Sequence, residues 1–266
     1  MRLIDKDQLR AIQLEILCNV DQFCKSHSIR YSLAYGSLLG AIRHKGYIPW
    51  DDDIDLIMPR PDYDRFIASY TSDCNEVLDL STVDCCIEMF SKVCRKGTIM
   101  EDIRNSRRIW GVNIDVFPVD GIPTEKPEVF YNYLTDKWES LPKICPFYKG
   151  VTKNRIVWFA KYIAKKSIHP GAGRILDRKH ELVKLLRGTD YDHSALSGCY
   201  FGDAGINEFM DRTIFEEYTS VIFEGKDFMA IKHSDQYLRF LYGDYMQLPP
   251  PEQRVSPHLY NSFIQE

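Results

Sequence analysis

The sequence predicts an α/β fold, with strands gathered in the first half and a helical C-terminal part. Three observations predict it. Short runs of strand character, Tyr31–Tyr35, Asp53–Met58, Ile87–Arg95 and Gly111–Phe117, alternate with helical patterns. Beyond Pro123 the composition turns helical, with few β-branched runs. Apolar residues make up 44% and aromatics 13% of 266 residues, ample core for one large domain or one domain with an appended helical part.

Each element has its own signal. Residues 6–27 place Leu9, Ile12, Ile16, Leu17, Val20 and Phe23 at spacings of three and four, the stripe of an amphipathic helix. The strand Tyr31–Tyr35 ends at Gly36. Ser37–His44 reads as a short helix and Gly46–Pro49 as a turn. Asp53–Met58 is a strand stopped by Pro59, and Asp62–Tyr70 a helix with an acid near its start. The strand Gly111–Phe117 is expected to close at Pro118, ahead of a turn at residues 120–123. Glu125–Ser140, Lys153–Lys166 and Gly173–Arg187 have helical composition, and Tyr218–Phe223 is a late strand. Ser234–Tyr242 is a helix with Gly243 as its C-cap, and PPPE at 249–252 reads as a rigid exit into the tail.

The chemistry concentrates in YGSLLGAIRHKGYIPWDDDIDLIMP, residues 35–59. Asp53 and Asp55 are two apart, so on an extended strand both carboxylates leave one face. Two such groups resist ionising together unless a cation sits between them. Hard oxygen donors suit Mg²⁺ or Mn²⁺, ions that usually accompany phosphates, and the cluster points to nucleotide chemistry. A solvated acidic loop is the plainer reading, disfavoured because the acids abut an apolar strand. Of Asp51 and Asp52, one fits a metal-bound water or the acceptor, and the other a turn cap. Asp115 stands alone in an apolar strand, costly to bury without a cation or hydrogen-bond donors. Gly36 and Ser37 would let backbone N–H groups approach phosphate oxygens at a helix start. Arg43, His44 and Lys45 add positive charge beside the acids. Lys92 and Arg95 fit either neutralisation of a nucleotide diphosphate or ordinary surface charge.

These motifs resemble the nucleotidyltransferase superfamily, and within it the LicD family of phosphocholine transferases, which takes in the fukutin-type proteins. GSLLGAIRHKGYIPWDDDID at 36–55, IDVFPVDGIP at 114–123 and YLRFLYGDYMQLPP at 237–250 carry the resemblance, in an order that fits the family from about Ile12 to about Pro251. The resemblance implies a mixed sheet flanked by helices. Residues 1–124 would be the catalytic core, and 125–266 a mainly helical part completing the active site. It implies that Asp53, Asp55 and Asp115 hold Mg²⁺ or Mn²⁺ and carry catalysis, with Asp244 in the C-terminal signature near the acceptor or head group. The implied reaction moves a phosphocholine-like group from a CDP-linked donor to a hydroxyl of a glycan or lipid-linked glycan, releasing CMP. A metal-dependent glycosyltransferase and a catalytically inactive binding protein of the same fold are the rival readings. No nucleic-acid partner is expected.

Net charge is −4, but residues 143–187 hold twelve Lys and Arg against two acids, a segment of +10 in a remainder of −14. Such a segment fits peripheral contact with an anionic membrane surface or lipid carrier, or simply a solvated basic face. No stretch of eighteen uninterrupted apolar residues occurs, and the N-terminus carries acids where a signal peptide needs an apolar core, so the expectation is a cytoplasmic protein, working at the membrane's inner face if the basic segment docks there. The eight cysteines lack a C-x-x-C pair and are expected as free thiols, a zinc knot of Cys74, Cys85, Cys86 and Cys94 being the alternative. Trp50 and Trp110 flank the acids and suggest an aromatic cage for choline, or ordinary core positions.

Overall fold

A computed structural model describes residues 1–79, 88–102, 109–140, 172–202, 204–256 and 260–265. The predicted helix Lys153–Lys166, Cys85, Cys86, Cys145 and most of the basic segment lie outside these residues.

In chain order the strands are β1 (Arg2–Leu3), β2 (Ser32–Leu33), β3 (Asp55–Pro59), β4 (Asn75–Leu78), β5 (Ser91–Arg95), β6 (Thr98–Asp102), β7 (Ile109–Trp110), β8 (Asn113–Ile122), β9 (Leu196–Gly198), β10 (Met210–Asp211), β11 (Tyr218–Phe223), β12 (Lys226–Ile231) and β13 (Tyr260–Ile264). The helices are α1 (Lys6–Ser26), α2 (Tyr35–Arg43), α3 (Arg60–Ser69), α4 (Pro127–Glu139), α5 (Ala172–Arg187) and α6 (Ser234–Tyr242). The main sheet is mixed. Its path runs β10-β9-β8-β3-β2, with β5 pairing β8 beside β9 and β4 pairing β5. Only β3 and β8 run parallel within it, with Asp55 opposite Asp115. A second sheet orders β1-β13-β6-β7, and β11 and β12 form a hairpin.

Helix α1 forms where its apolar stripe predicts. A capping box starts it: the Asp5 carboxylate accepts from the Gln8 N–H at 2.8 Å, and the Gln8 side chain accepts from the Asp5 N–H. Ile16, Leu17 and Val20 are fully buried in the main core together with Leu56 and Val116 of the sheet, each such side chain stabilising the fold by about 1.5–3 kcal/mol. A smaller core joins Leu134 of α4, Leu182 and Leu186 of α5, and Ile122, Tyr200 and Phe209.

One expectation needs correction. Strand β8 does not close at Pro118 but continues to Ile122, through the expected turn. Pro118 falls after the last β5 pairing, at Val116, and before the first β9 pairing, at Asp120, so its missing N–H costs no ladder bond on that edge. The tail beyond residue 252 ends in β13, which pairs β6 along Thr98–Asp102. The helical character expected of the C-terminal part is carried by α4, α5 and α6, with β9 and β13 returning to the sheets. Gly243 caps α6 as predicted, at φ +65°, the left-handed region that glycine tolerates. No helix among the described residues is long and apolar enough to cross a membrane.

Candidate active site

The parallel register of β3 and β8 builds the centre of the site. Asp55 begins β3 and lies opposite Asp115, whose N–H donates to the Ile54 carbonyl at 2.9 Å. The start of α2 is tied to the same point. The Ala34 N–H donates to the Asp55 carbonyl and the Asp55 N–H to Ser37 Oγ, both at 2.9 Å. The first N–H groups of α2 are thereby held beside the carboxylates, where a helix start favours anions.

Gly36 packs closely on the acidic loop. A Cβ built on it would lie 2.6 Å from Asp51 Oδ2, so a side chain there would force that carboxylate to shift. The acidic loop is held from behind by α1. Arg10 donates to the carbonyls of Ile48, Pro49 and Asp51, and the Gln13 amide to those of Asp52 and Asn113. Gln13 is 1% exposed. The Asp52 carboxylate accepts from Ser256 Oγ at 3.0 Å, drawing the C-terminal segment over the loop.

The electrostatics are those of crowded carboxylates. Burial pushes Asp51 up to about 7, helped by the charge of Asp53 and a hydrogen bond to it. Asp55 is raised well above the carboxylate range by burial, then by Asp53, Asp115 and Asp51. Asp53 thus stands among all three. Asp115 is raised by burial as well, but its protein partner Lys92 pulls the other way. Lys92 donates to both its oxygens and the Asn113 amide to one. Burial would lower the Lys92 ammonium, but Asp115 and Glu88 outweigh it and the group is raised. Among the described residues, no three His, Cys, Asp or Glu side chains converge as a ready cation cage. The donor set still suits a hard divalent ion, since a cation among these carboxylates would offset the burial and mutual repulsion that raise Asp51 and Asp55.

The remaining predicted residues divide. Lys92 joins the centre. Arg95, three residues on along a strand, faces the other way and pairs with Glu15 of α1. Arg43 donates to the carbonyls of Tyr245 and Gln247 and, through Nε, to His44, whose own pKa is lowered by burial and by Arg43. The pair anchors the C-terminal loop beside Trp50. Asp244 is exposed and accepts from the Gln247 amide within a turn. Trp50 and Trp110 do not form a shared cage: Arg254 lies over the first and Lys92 over the second. Cys94 is buried in the main core and its thiol is raised by burial, as for a packed apolar group. Arg10, Gln13 and Asn113 were not singled out by sequence; the polar positions Arg10 and Gln13, three apart on α1, were the available signal.

Residues 28–138 match the family described as LicD/FKTN/FKRP, nucleotidyltransferase domain, a span that contains Gly36, Ser37, all four acids of the loop, Lys92 and Asp115. Over that span the chain is similar to the LicD family. It is 28% identical over 267 residues to the lipopolysaccharide cholinephosphotransferase LicD of Haemophilus influenzae, covering 96% of this chain and 98% of that protein. An uncharacterised protein of Rickettsia typhi is 38% identical over 55 residues, 21% of this chain and 17% of its own length. The LicD likeness thus extends well past the domain match, through β9 to the C-terminal loop held by Arg43.

Proposed function

We propose that this chain is a LicD-type phosphotransferase that moves phosphocholine from CDP-choline to a hydroxyl of a surface glycan, such as lipopolysaccharide, and releases CMP. The juxtaposition of Asp53, Asp55 and Asp115 at the mouth of α2 carries the reading, and the full-length likeness to a cholinephosphotransferase supports it. In this reading Asp53 and Asp55 hold Mg²⁺ or Mn²⁺, with Asp115 contributing from its place beside Lys92. When bound, the ion offsets charge on the donor's diphosphate and on the transferring phosphoryl group.

The chain's own groups do the rest. The backbone N–H groups of Gly36 and Ser37 cradle phosphate oxygens, and Lys92 adds a buried positive charge beside them. The acceptor hydroxyl attacks phosphorus in line with the departing CMP, so much of the rate comes from positioning. Its proton passes to a carboxylate of the cluster, for which Asp115, oriented by Lys92 and Asn113, is the candidate. The basic segment 143–187 would bring the enzyme to a lipid-linked acceptor on the cytoplasmic face of a membrane.

Incubation with CDP-choline or UDP-sugars, a glycan acceptor and Mg²⁺, followed by mass spectrometry, tests the reading. CMP release with a phosphocholine mass added to the glycan is expected. Turnover of a UDP-sugar in its place would establish the glycosyltransferase alternative, and no Mg²⁺-dependent nucleotide binding would favour an inactive protein.

A further inference from the structure

The turn that delivers the acidic loop is strained, and a hairpin from far along the chain holds it. Lys45, between α2 and the loop, sits at φ +61°, in the left-handed region that a lysine rarely adopts. Against it lies the tip of the β11–β12 hairpin, Glu224-Gly225, at φ +48° and +71°. Positive φ at both central residues is the pattern of a type I′ turn, in which Asn-Gly is a favoured pair and Glu-Gly is not. Two neighbouring residues thus carry backbone strain without being glycine. Such strain persists only where the surroundings enforce it, and it gathers at functional sites.

The contacts supply the enforcement. The Glu224 N–H donates to the Lys45 carbonyl at 2.9 Å, and Glu224 Oε1 accepts from the Tyr47 N–H at 3.0 Å. Gly46 lies between them, where a Cβ would displace the Glu224 carboxylate. The Gly46 carbonyl in turn packs on Gly40 of α2, so closely that a Cβ there would force the backbone to shift. The turn is clamped between helix and hairpin tip. Tyr47 passes the constraint on. Its ring packs on Phe223 of β11, with centroids 4.9 Å apart, and under the Arg10 guanidinium, 4.6 Å from the ring centre. Its hydroxyl donates to Gln13 Oε1 at 3.2 Å. Arg10 and Gln13 are the side chains that hold the carbonyls of Asp51 and Asp52.

We infer that Glu224 is a positioning residue of the site: from the hairpin tip it fixes the 45–47 turn and, through Tyr47, the aim of the acidic loop. Its effect on turnover rests on the phosphocholine-transfer reading, and its effect on the loop does not. Were Glu224 only a turn residue, asparagine would serve better, since it tolerates left-handed φ and completes Asn-Gly. Its side chain is one methylene shorter, however, and falls short of the Tyr47 N–H.

Glu224→Asn and Glu224→Gln separate the two roles by thermal melting, hydrogen exchange, and kinetics with CDP-choline and a glycan acceptor. Glu224→Asn should keep Tm at or above the wild-type value, because better turn chemistry offsets the lost hydrogen bond. Amides within residues 47–53 should exchange about tenfold faster in that variant. Its kcat should fall about tenfold, with KM for CDP-choline within about twofold of wild type. Glu224→Gln keeps an acceptor oxygen for the Tyr47 N–H and should bring exchange and kcat back close to wild type. A Glu224→Asn protein with wild-type exchange and kcat would overturn the inference. So would one that melts well below wild type, or a Glu224→Gln variant as impaired as Glu224→Asn. If the wild type turns over CDP-choline and both variants match it, the transfer reading stands and the positioning role fails. If CDP-choline is inert but exchange at 47–53 rises in Glu224→Asn alone, the transfer reading fails and the positioning role stands.

Discussion

Lys92 Nζ donates to both carboxylate oxygens of Asp115, at 2.8 and 2.7 Å, from the strand position directly opposite. The side chains are only 11% and 18% exposed, so each partner compensates the other's burial. Removing one leaves an uncompensated charge, which is worse than removing both. Lys92→Met should lower unfolding stability by about 3 kcal/mol, and Lys92→Met with Asp115→Asn should recover part of it. Denaturant unfolding of the single and double variants measures both. Equal losses in single and double would show that the pair is not coupled.

Gly36 meets Asp51 more closely than any side chain allows. Gly36→Ala should displace the Asp51 carboxylate while α2 itself, short and buried, stays formed. The expected loss is about 100-fold in kcat/KM with a small change in Tm. Steady-state kinetics beside a thermal melt separate the two effects; wild-type kinetics in a folded Gly36→Ala protein would remove the close packing from the account.

The crowded acids make stability fall with pH. Asp51 is raised to about 7 and Asp55 is raised well above the usual range, both chiefly by burial. The folded protein therefore keeps protons that the unfolded chain gives up near pH 4, so it binds more protons than the unfolded chain across that window. The contribution of these two acids to stability is greatest below the unfolded pKa and declines as pH rises towards the folded values. In EDTA, Tm should be lower at pH 8 than at pH 5, and Asp51→Asn should flatten the decline. Added Mg²⁺ should raise Tm more at pH 8 than at pH 5. A Tm that climbs from pH 5 to pH 8 in EDTA would contradict the assignment.

Gln13 reaches from α1 to the carbonyls of Asp52 and Asn113, joining the acidic loop to the start of β8. Gln13→Leu strands two buried carbonyls at a cost of about 1–3 kcal/mol and loosens the loop. The reaction rate should fall about tenfold with the affinity for CMP little changed. Parallel turnover and CMP-binding measurements decide it, and a loss confined to CMP affinity would place Gln13 at the nucleotide instead.

What sequence revealed and what it hid follow from range. Asp53, Asp55, Ser37 and Gly36 lie within one local segment, so the strand period and the turn chemistry placed them together. The opposition of Asp55 and Asp115 depends on a parallel pairing across some sixty residues, which the family resemblance supplied and local periodicity does not. Sequence analysis offered Lys92 and Arg95 alike, although three residues along a strand sets them on opposite faces, and only Lys92 reaches the site. Pro118 looked like a strand end because its unpaired edge is invisible without the sheet order. Gln13 looked like a solvent-facing position of an amphipathic helix and is buried.

Mn²⁺ binding in the presence of CDP, followed by electron paramagnetic resonance, tests the central claim most directly in the wild type, Asp53→Asn and Asp55→Asn. The account predicts nucleotide-dependent Mn²⁺ uptake by the wild type, weakened at least about tenfold by either substitution with the fold retained. Undiminished uptake in both variants would contradict it.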